Sequence, residues 1–365
     1  MNKQEKLETY YIASSWQLMR RKFSKHRFAL IAASILIVLY LAAALAEFVA
    51  PYDKIQSKTE FSMAPPIQVR FFHEGKLSRP FVYGLTRERD METLLMVYQN
   101  DKNTRYYIKL FSSGDSYKLF GLFPSNIHLF GVDEPGVVFL FGTDQLGRDI
   151  LSRIIYGARI SLSVGLVGVS LSFLLGCFLG GLSGLLGGTV DLVIQRIIEF
   201  LQSLPTIPLW MALSAAIPID WPMVRTYFMI TIILSIIGWT GLARVVRGKI
   251  LQLREEDYVT AARIGGAKRL SIIVRHMLPN FLGYLIVHLT LAVPDMILGE
   301  TALSFLGIGL KPPIVSWGVA LQQASNIRTV ALNPWLLIPA LFVVITVLCY
   351  NFVGDGLRDA SDPYK

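Results

Sequence analysis

The sequence predicts an all-α polytopic membrane protein with six transmembrane helices and a small β-rich or mixed external domain between the first two. Three observations lead there. Of 365 residues 53% are hydrophobic and 17% charged, and the apolar ones are bunched into long runs. The basic residues collect in two separate segments. A single long stretch has a composition that can fold in water.

A span needs about 20 mostly apolar residues, because hydrocarbon offers no hydrogen-bond partner and each backbone group must be satisfied inside a helix. Runs at 28–50, 159–186, 193–217, 224–246, 281–307 and 333–354 meet or approach that length. The third carries Arg196 and Glu199 near its start and the prolines Pro205 and Pro208, and reads as a short or broken span. The first is too long for a signal peptide and has no small-residue cleavage pattern before Pro51, so it reads as an anchor.

The net charge of +9 does not point to nucleic acid, because the cations are placed with respect to the spans. Lys3, Lys6, Arg20, Arg21, Lys22, Lys25 and Arg27 precede the first, and Arg244, Arg247, Lys249, Arg254, Arg263, Lys268, Arg269 and Arg275 lie between the fourth and fifth. The positive-inside rule makes both segments cytoplasmic. Six spans then close the count, with 1–27 a cytoplasmic tail, 28–50 the first helix, 51–158 outside, 159–356 the transmembrane core, and 357–365 a second cytoplasmic tail. Cys177 and Cys349 both lie in apolar runs, where they read as small hydrophobes without metal-site spacing.

Within 51–158, the runs Pro80 to Leu85, Leu94 to Tyr98, Arg105 to Phe111 and Tyr117 to Phe123 are aromatic and β-branched and are separated by Gly, Asp, Asn and Ser. Short strands and turns are expected, in an ordered domain over roughly 60–140. After it, Asp144, Arg148, Asp149, Arg153 and Arg159 alternate with Ile150, Leu151, Ile154 and Ile155. That pattern predicts an amphipathic helix over 149–157 at the outer interface, with Asp144, Arg148 and Asp149 as external interfacial residues.

The segment between the fourth and fifth spans, 247–280, is the most informative. Tyr258 to Ile264 can form one short helix, Gly265 and Gly266 interrupt it, and Lys268 to Leu278 can form a second helix stopped by Pro279. The pattern Thr260-Ala261-Ala262, then Gly266, then His276-Met277-Leu278-Pro279 resembles the coupling loop of ATP-binding-cassette (ABC) importer permeases. Thr260 stands in place of the usual glutamate and His276 in place of isoleucine. GTDQLGRDILSRIIYGARISL at 142–162, ETALSFLGIGLKPPIVSWGVAL at 300–321 and NFVGDGLRDASDPY at 351–364 narrow the resemblance to the C-type permease of the oligopeptide, dipeptide and nickel importers. The external segment at 60–140 is longer than the resemblance accounts for.

The resemblance implies the type I importer architecture in a bacterial-type inner membrane. It also implies a second permease subunit as heterodimer partner, two ATPase subunits that hold ATP and Mg, and an external substrate-binding protein. Tyr258, Thr260, Ala261, Ala262, Gly265, Gly266, Leu278 and Pro279 would then couple the spans to the ATPases. The sequence contains no GxxxxGK[ST] phosphate loop with which to hold ATP itself, and a permease subunit rather than an enzyme is expected. Peptides are the expected cargo, with nickel chelates or oligosaccharides as alternatives on the same machine. A secondary transporter would also have broken spans and intramembrane acids, but would not need a basic helix-glycine-helix projection. A membrane enzyme finds no support in H-E-x-x-H, G-x-S-x-G or convergent His and acid pairs.

Inside the spans, Pro294 and Asp295 read as a kink with a polar lining, and Glu300 as either a gate residue or a packing contact, since an intramembrane acid rarely faces lipid. His288 has no second ligand at metal spacing and reads as an interhelical hydrogen-bonding residue. Glycines 165, 168, 176, 180, 181, 184, 187 and 188, with several pairs four apart, predict close helix packing. Asp355, Arg358, Asp359 and Asp362 read as a solvated cytoplasmic end, which the resemblance places near the ATPases. The topology is tested by single cysteines at Ser14 and Ser113, which should react with an impermeant thiol reagent from opposite sides of the membrane. Reaction of both from the outside would overturn it.

Overall fold

A computed structural model describes residues 15–361 apart from 74, 90, 92–95 and 219. Lys3, Lys6, Ser14, Leu94 and Asp362 therefore lie outside the described residues. The chain divides into two compact units, one comprising the residues up to Ile37, Ser163–Glu300 and those from Ile345 on, the other Val38–Leu162 and Thr301–Val344.

Long helices follow the apolar runs. After a short α1 (Ser15–Phe23), they are α2 (Arg27–Ala44), α4 (Ile150–Leu186), α7 (Met223–Leu253), α9 (Leu282–Phe305) and, after a short α11 (Ile327–Leu332), α12 (Ile338–Ser361), with a four-residue α3 (Ala46–Val49) after the first span. Five segments are long and apolar enough to cross a membrane, and a sixth arises if α5 (Gly188–Ser203) and α6 (Thr206–Ala215), bent by 89°, count as one span. The bent pair covers the third apolar run. Pro205 disfavours helical backbone in the residue before it, and Leu204 is accordingly extended, with ψ 135°.

In the first unit the glycine stripe of α4 packs against α7. A Cβ on Gly180 would sit 2.4 Å from the carbonyl oxygen of Ala243, and one on Gly184 would sit 2.8 Å from that of Arg247. Only glycine lets the two backbones come this close. The same two helices are pinned to α5, where the Asp191 carboxylate accepts two hydrogen bonds from the Arg247 guanidinium and a third from the Ser183 hydroxyl, each 2.5 Å. Cys177 and Cys349 are buried free thiols that pack as small apolar groups.

The second unit holds the insertion. An antiparallel sheet joins β1 (Arg70–His73), β2 (Lys76–Arg89) and β3 (Met96–Tyr107), and β4 (Lys109–Leu119) pairs with β5 (Phe123–Gly131) as a separate hairpin. Ala64, Ile67, Val82, Val137, Val138 and Phe139 form its buried core, flanked by Tyr52, Phe61, Tyr98 and Tyr106. The strands are longer than the sequence predicts, and two of the expected strands are interrupted, 105–111 at Ile108 between β3 and β4 and 117–123 by a turn. The second of these is turned by Phe120 and Gly121, both at positive φ (52° and 74°). An aromatic residue rarely adopts that backbone, so the turn is hidden in an apolar run.

Residues 149–157 do not form a separate helix on the membrane interface. From Ile150 they are the first turns of the continuous α4, and Asp149, Ser152, Arg153 and Ile154 are buried. The Trp317 indole, at the start of α10 (Trp317–Leu321), donates to the carbonyl of Ile154 (3.0 Å), and Ser161 Oγ accepts from the Trp317 backbone N–H (3.1 Å). Asp144 is equally buried. Its carboxylate accepts from the backbone N–H groups of Leu146 and Arg148 and from Arg148 Nε at 2.7 Å, and Arg153 Nη1 stands 3.3 Å away. These charges close a loop on itself and do not reach toward lipid headgroups. Opposite charges interleaved with apolar residues suit a packed knot as well as an interfacial helix, and burial decided between them.

Asp149 begins α4 by accepting from the backbone N–H and the hydroxyl of Ser152, both 2.7 Å. Burial pushes its carboxyl up to about 7, outweighing the Ser152 hydrogen bonds that favour the anion, and the nearby Asp144 charge adds to the rise. Its folded value lies above the unfolded one, so the folded state retains a proton that the unfolded chain has lost. Stability from this group is present at low pH and falls as pH rises from about 4 toward 7. In detergent, Asp149→Asn should gain melting temperature relative to the parent across that window, and a difference independent of pH would refute the assignment.

Candidate functional site

The loop after α7 folds as a two-faced projection. α8 (Asp257–Ile264) places Asp257 in its first turn, where an acid is favoured by the helix dipole. Its inner face is Val259 and Ala262, which pack with Leu242, Val246, Ile250, Ile272, Met277 and Phe281. Its outer face is Tyr258, Thr260, Ala261, Arg263 and Ile264, all exposed, Ile264 by 83%. Ala261 and Ala262, adjacent in sequence, therefore have different roles. Only Ala261 is open to a partner, and Ala262 belongs to the loop's own core.

The glycines end this helix in a defined way. Gly266 adopts φ +77°, its N–H donates to the carbonyl of Arg263, and the Ala267 N–H reaches back to that of Ala262, both 3.1 Å. This pair of bonds is a Schellman cap, which favours glycine at the left-handed position. Gly265 retains ordinary helical φ and closes the last turn on Ala261.

The expected second helix, 268–278, does not stop at Pro279. A helical turn at Arg269–Ser271 widens into a π-helix over Ile272–Met277, tightens to 3₁₀ over Leu278–Phe281 and runs into α9. A proline lacks an N–H and crowds the preceding turn, and a change of winding relieves both without a break. Leu278 packs on the loop core and Pro279 is exposed. Asn280 Nδ2 donates to the Tyr258 hydroxyl (2.7 Å) and to the carbonyl of His276 (2.9 Å), so the spanning helix holds the outer face of α8 in place. Val259, Ile264 and Asn280 were missed in the sequence. The three-residue spacing of Val259 and Ala262 was the available signal for the inner face.

The three intramembrane candidates are not brought together. Pro294 is buried inside an unbroken α9 and Glu300 is wholly buried, so neither opens onto the surface of this chain. Burial of Glu300 supports its packing role. Asp295 is exposed, on the face that also carries Tyr284, His288 and Leu298 at helical spacing, with the Tyr284 and His288 rings stacked at 6.2 Å. A carboxylate held at that depth needs water or a protein partner, since lipid would cost it several kcal/mol. Among the described residues no group of three His, Cys, Asp or Glu side chains could hold a metal. At the C-terminal end Asp355, Arg358 and Asp359 are exposed on α12, whose Gly356 lies against Ala29 and Phe23.

Apolar spans with a charged face and a two-faced projecting helix are the parts of a membrane transport subunit. The chain belongs to the family of binding-protein-dependent transport system inner membrane components, which matches residues 172–364. Residues 14–66 match the N-terminal transmembrane domain of oligopeptide transport permease C. The chain is 43% identical over 224 residues to an oligopeptide transport system permease protein of Haemophilus influenzae, covering 61% of this chain and 70% of that one. It is 42% identical to a dipeptide transport system permease protein of Bacillus subtilis, over 63% of this chain and 70% of that one. It is also 42% identical to the oligopeptide permease of Escherichia coli K12, over 61% and 72%. Among solved structures, an inward-facing MetNI methionine ABC transporter aligns over 58% of this chain and 97% of its own, at 18% identity and a TM-score of 0.43.

Asp295→Asn should lower transport or uncouple it from ATP hydrolysis while assembly of the complex stays intact. Normal transport by Asp295→Leu would show that this face lines nothing of consequence.

Proposed function

We propose that this chain forms half of the translocation pathway of an ATP-driven importer of peptides, paired with a second, related permease subunit. An external binding protein delivers the cargo, and two ATPase subunits, which hold ATP and Mg, dock on the loop at 247–280. Both termini and this loop lie on the cytoplasmic side and residues 51–158 on the outer side. The placement of the basic residues supports this orientation. The names of the relatives support peptides as cargo over nickel chelates or oligosaccharides.

The observation that carries the coupling role is the division of α8 into two faces. Val259 and Ala262 anchor it to the ends of two long helices, while Tyr258, Ala261 and Ile264 stand open on the other side. A displacement of the outer face is then delivered to α7 and α9 through a packed core, which moves as a unit. Thr260, on the outer face, leaves this contact without the carboxylate usual in the family.

Ala261→Asp and Ile264→Asp should each strip the ATPase subunits from the purified complex, because even a neutral polar group buried unpaired in the contact costs about 1–3 kcal/mol and a carboxylate costs more. Melting temperature of the permease pair should hardly change. Ala262→Asp should lower that melting temperature as well, since its side chain enters the loop's own core. Retention of the ATPases and of substrate-stimulated hydrolysis by both Ala261→Asp and Ile264→Asp would overturn the coupling assignment.

A further inference from the structure

We propose that the tip of the β4–β5 hairpin inserts into the outer surface of the lipid bilayer and moors the external insertion to it. The tip reads Lys118-Leu119-Phe120-Gly121-Leu122-Phe123-Pro124. Phe120, Leu122 and Phe123 are 57%, 75% and 65% exposed. A water-facing turn is ordinarily built from small and polar residues, and this one presents three large apolar side chains at once. Phe120 does so from a positive φ of 52°, a backbone that disfavours an aromatic residue.

The root of the hairpin lies at the end of the first spanning helix. Phe111 of β4 stands 6.1 Å, ring to ring, from Phe48 of α3, two turns or fewer past the last residue of α2. The His128 ring of β5 contacts the carbonyl of Ala50 at 2.6 Å. Phe130, two residues further from the tip, packs with the core of the external insertion. From Phe130 to the tip, the hairpin thus leaves the external core, passes the end of the span at His128, and continues for five residues to Phe123, roughly 17 Å.

The chemistry of this arm suits lipid better than a protein groove. From residue 116 to 132 no acidic residue occurs, and the one ammonium, Lys118, complements anionic headgroup phosphates. The turn also satisfies its own backbone, with Gly121 N–H donating to the carbonyl of Lys118 (3.0 Å) and Leu122 N–H to that of Leu119 (3.1 Å). Pro124 has no N–H to satisfy. An unpaired amide at a tip would resist leaving water. The outer edges of a two-stranded ribbon keep unpaired groups, so the insertion is shallow and confined to the turn.

The inference rests on reading Arg27–Ala44 as a spanning helix, and the test separates the two. A nitroxide is attached to Leu122→Cys, Val38→Cys or Lys102→Cys in the complete complex, in nanodiscs of phosphatidylethanolamine and phosphatidylglycerol. Power saturation then compares oxygen with a water-soluble nickel chelate. Position 122 should resemble Val38, open to oxygen and closed to nickel, with Lys102 the reverse. A label at 122 that is as open to nickel as the one at 102 overturns the proposal. So does a label shielded from both reagents, with or without the external binding protein, because that marks a protein contact. Nickel access at Val38 would overturn the spanning reading and the proposal with it.

Discussion

A peptide group in hydrocarbon must find its hydrogen-bond partner within its own segment, and most of this architecture follows from how the chain meets that condition. Where nothing interferes, the apolar runs become uninterrupted helices, the longest being the 37 residues of Ile150–Leu186. Proline is the residue that interferes, and it is handled in three ways. At Leu204 and Pro205 the helix is abandoned and the chain bends by 89°. At Pro279 the winding passes through π and 3₁₀ turns without stopping. At Pro294 the helix carries on unbroken around a buried ring.

Satisfied helices do not attract one another strongly in lipid, so their association depends on close fit. Gly180 and Gly184 let α4 touch the backbone of α7, and the ion pair of Asp191 and Arg247 ties α7 to the first arm of the bent pair. The same helix end then carries the packed core of the 247–280 loop, through Leu242, Val246 and Ile250. Anything that pushes on the outer face of α8 acts on a side chain core already locked to a glycine-fitted helix pair.

The insertion follows a different rule, because water is available to it. Its strands can leave edges open and its core is a separate cluster around Phe139, Val82 and Ile67. The buried ion pair of Asp144 and Arg148 joins this region to the start of α4, and Asp149 begins that helix through its hydrogen bonds to Ser152. Such charges cost desolvation, and their hydrogen bonds offset it while fixing the geometry.

The spans, the broken third helix, the β-rich insertion and the family motifs were all legible in the sequence. Hydrocarbon length, proline chemistry and aromatic β patterning are properties of consecutive residues. The Gly266 cap was legible for the same reason, as a local backbone demand. What only the tertiary structure decided is which side of each element is covered. Ala261 and Ala262 are identical in chemistry, and they differ only because the Val259 face meets Ile250 and Ile272. Asp295 and Glu300 are both intramembrane acids, and one is exposed while the other is buried. The run from Tyr117 to Phe123 reads as a strand until Phe120 turns. Burial of the alanine and of the acid depends on residues far away in the chain, and the hairpin turn is local but hidden by its own apolar side chains.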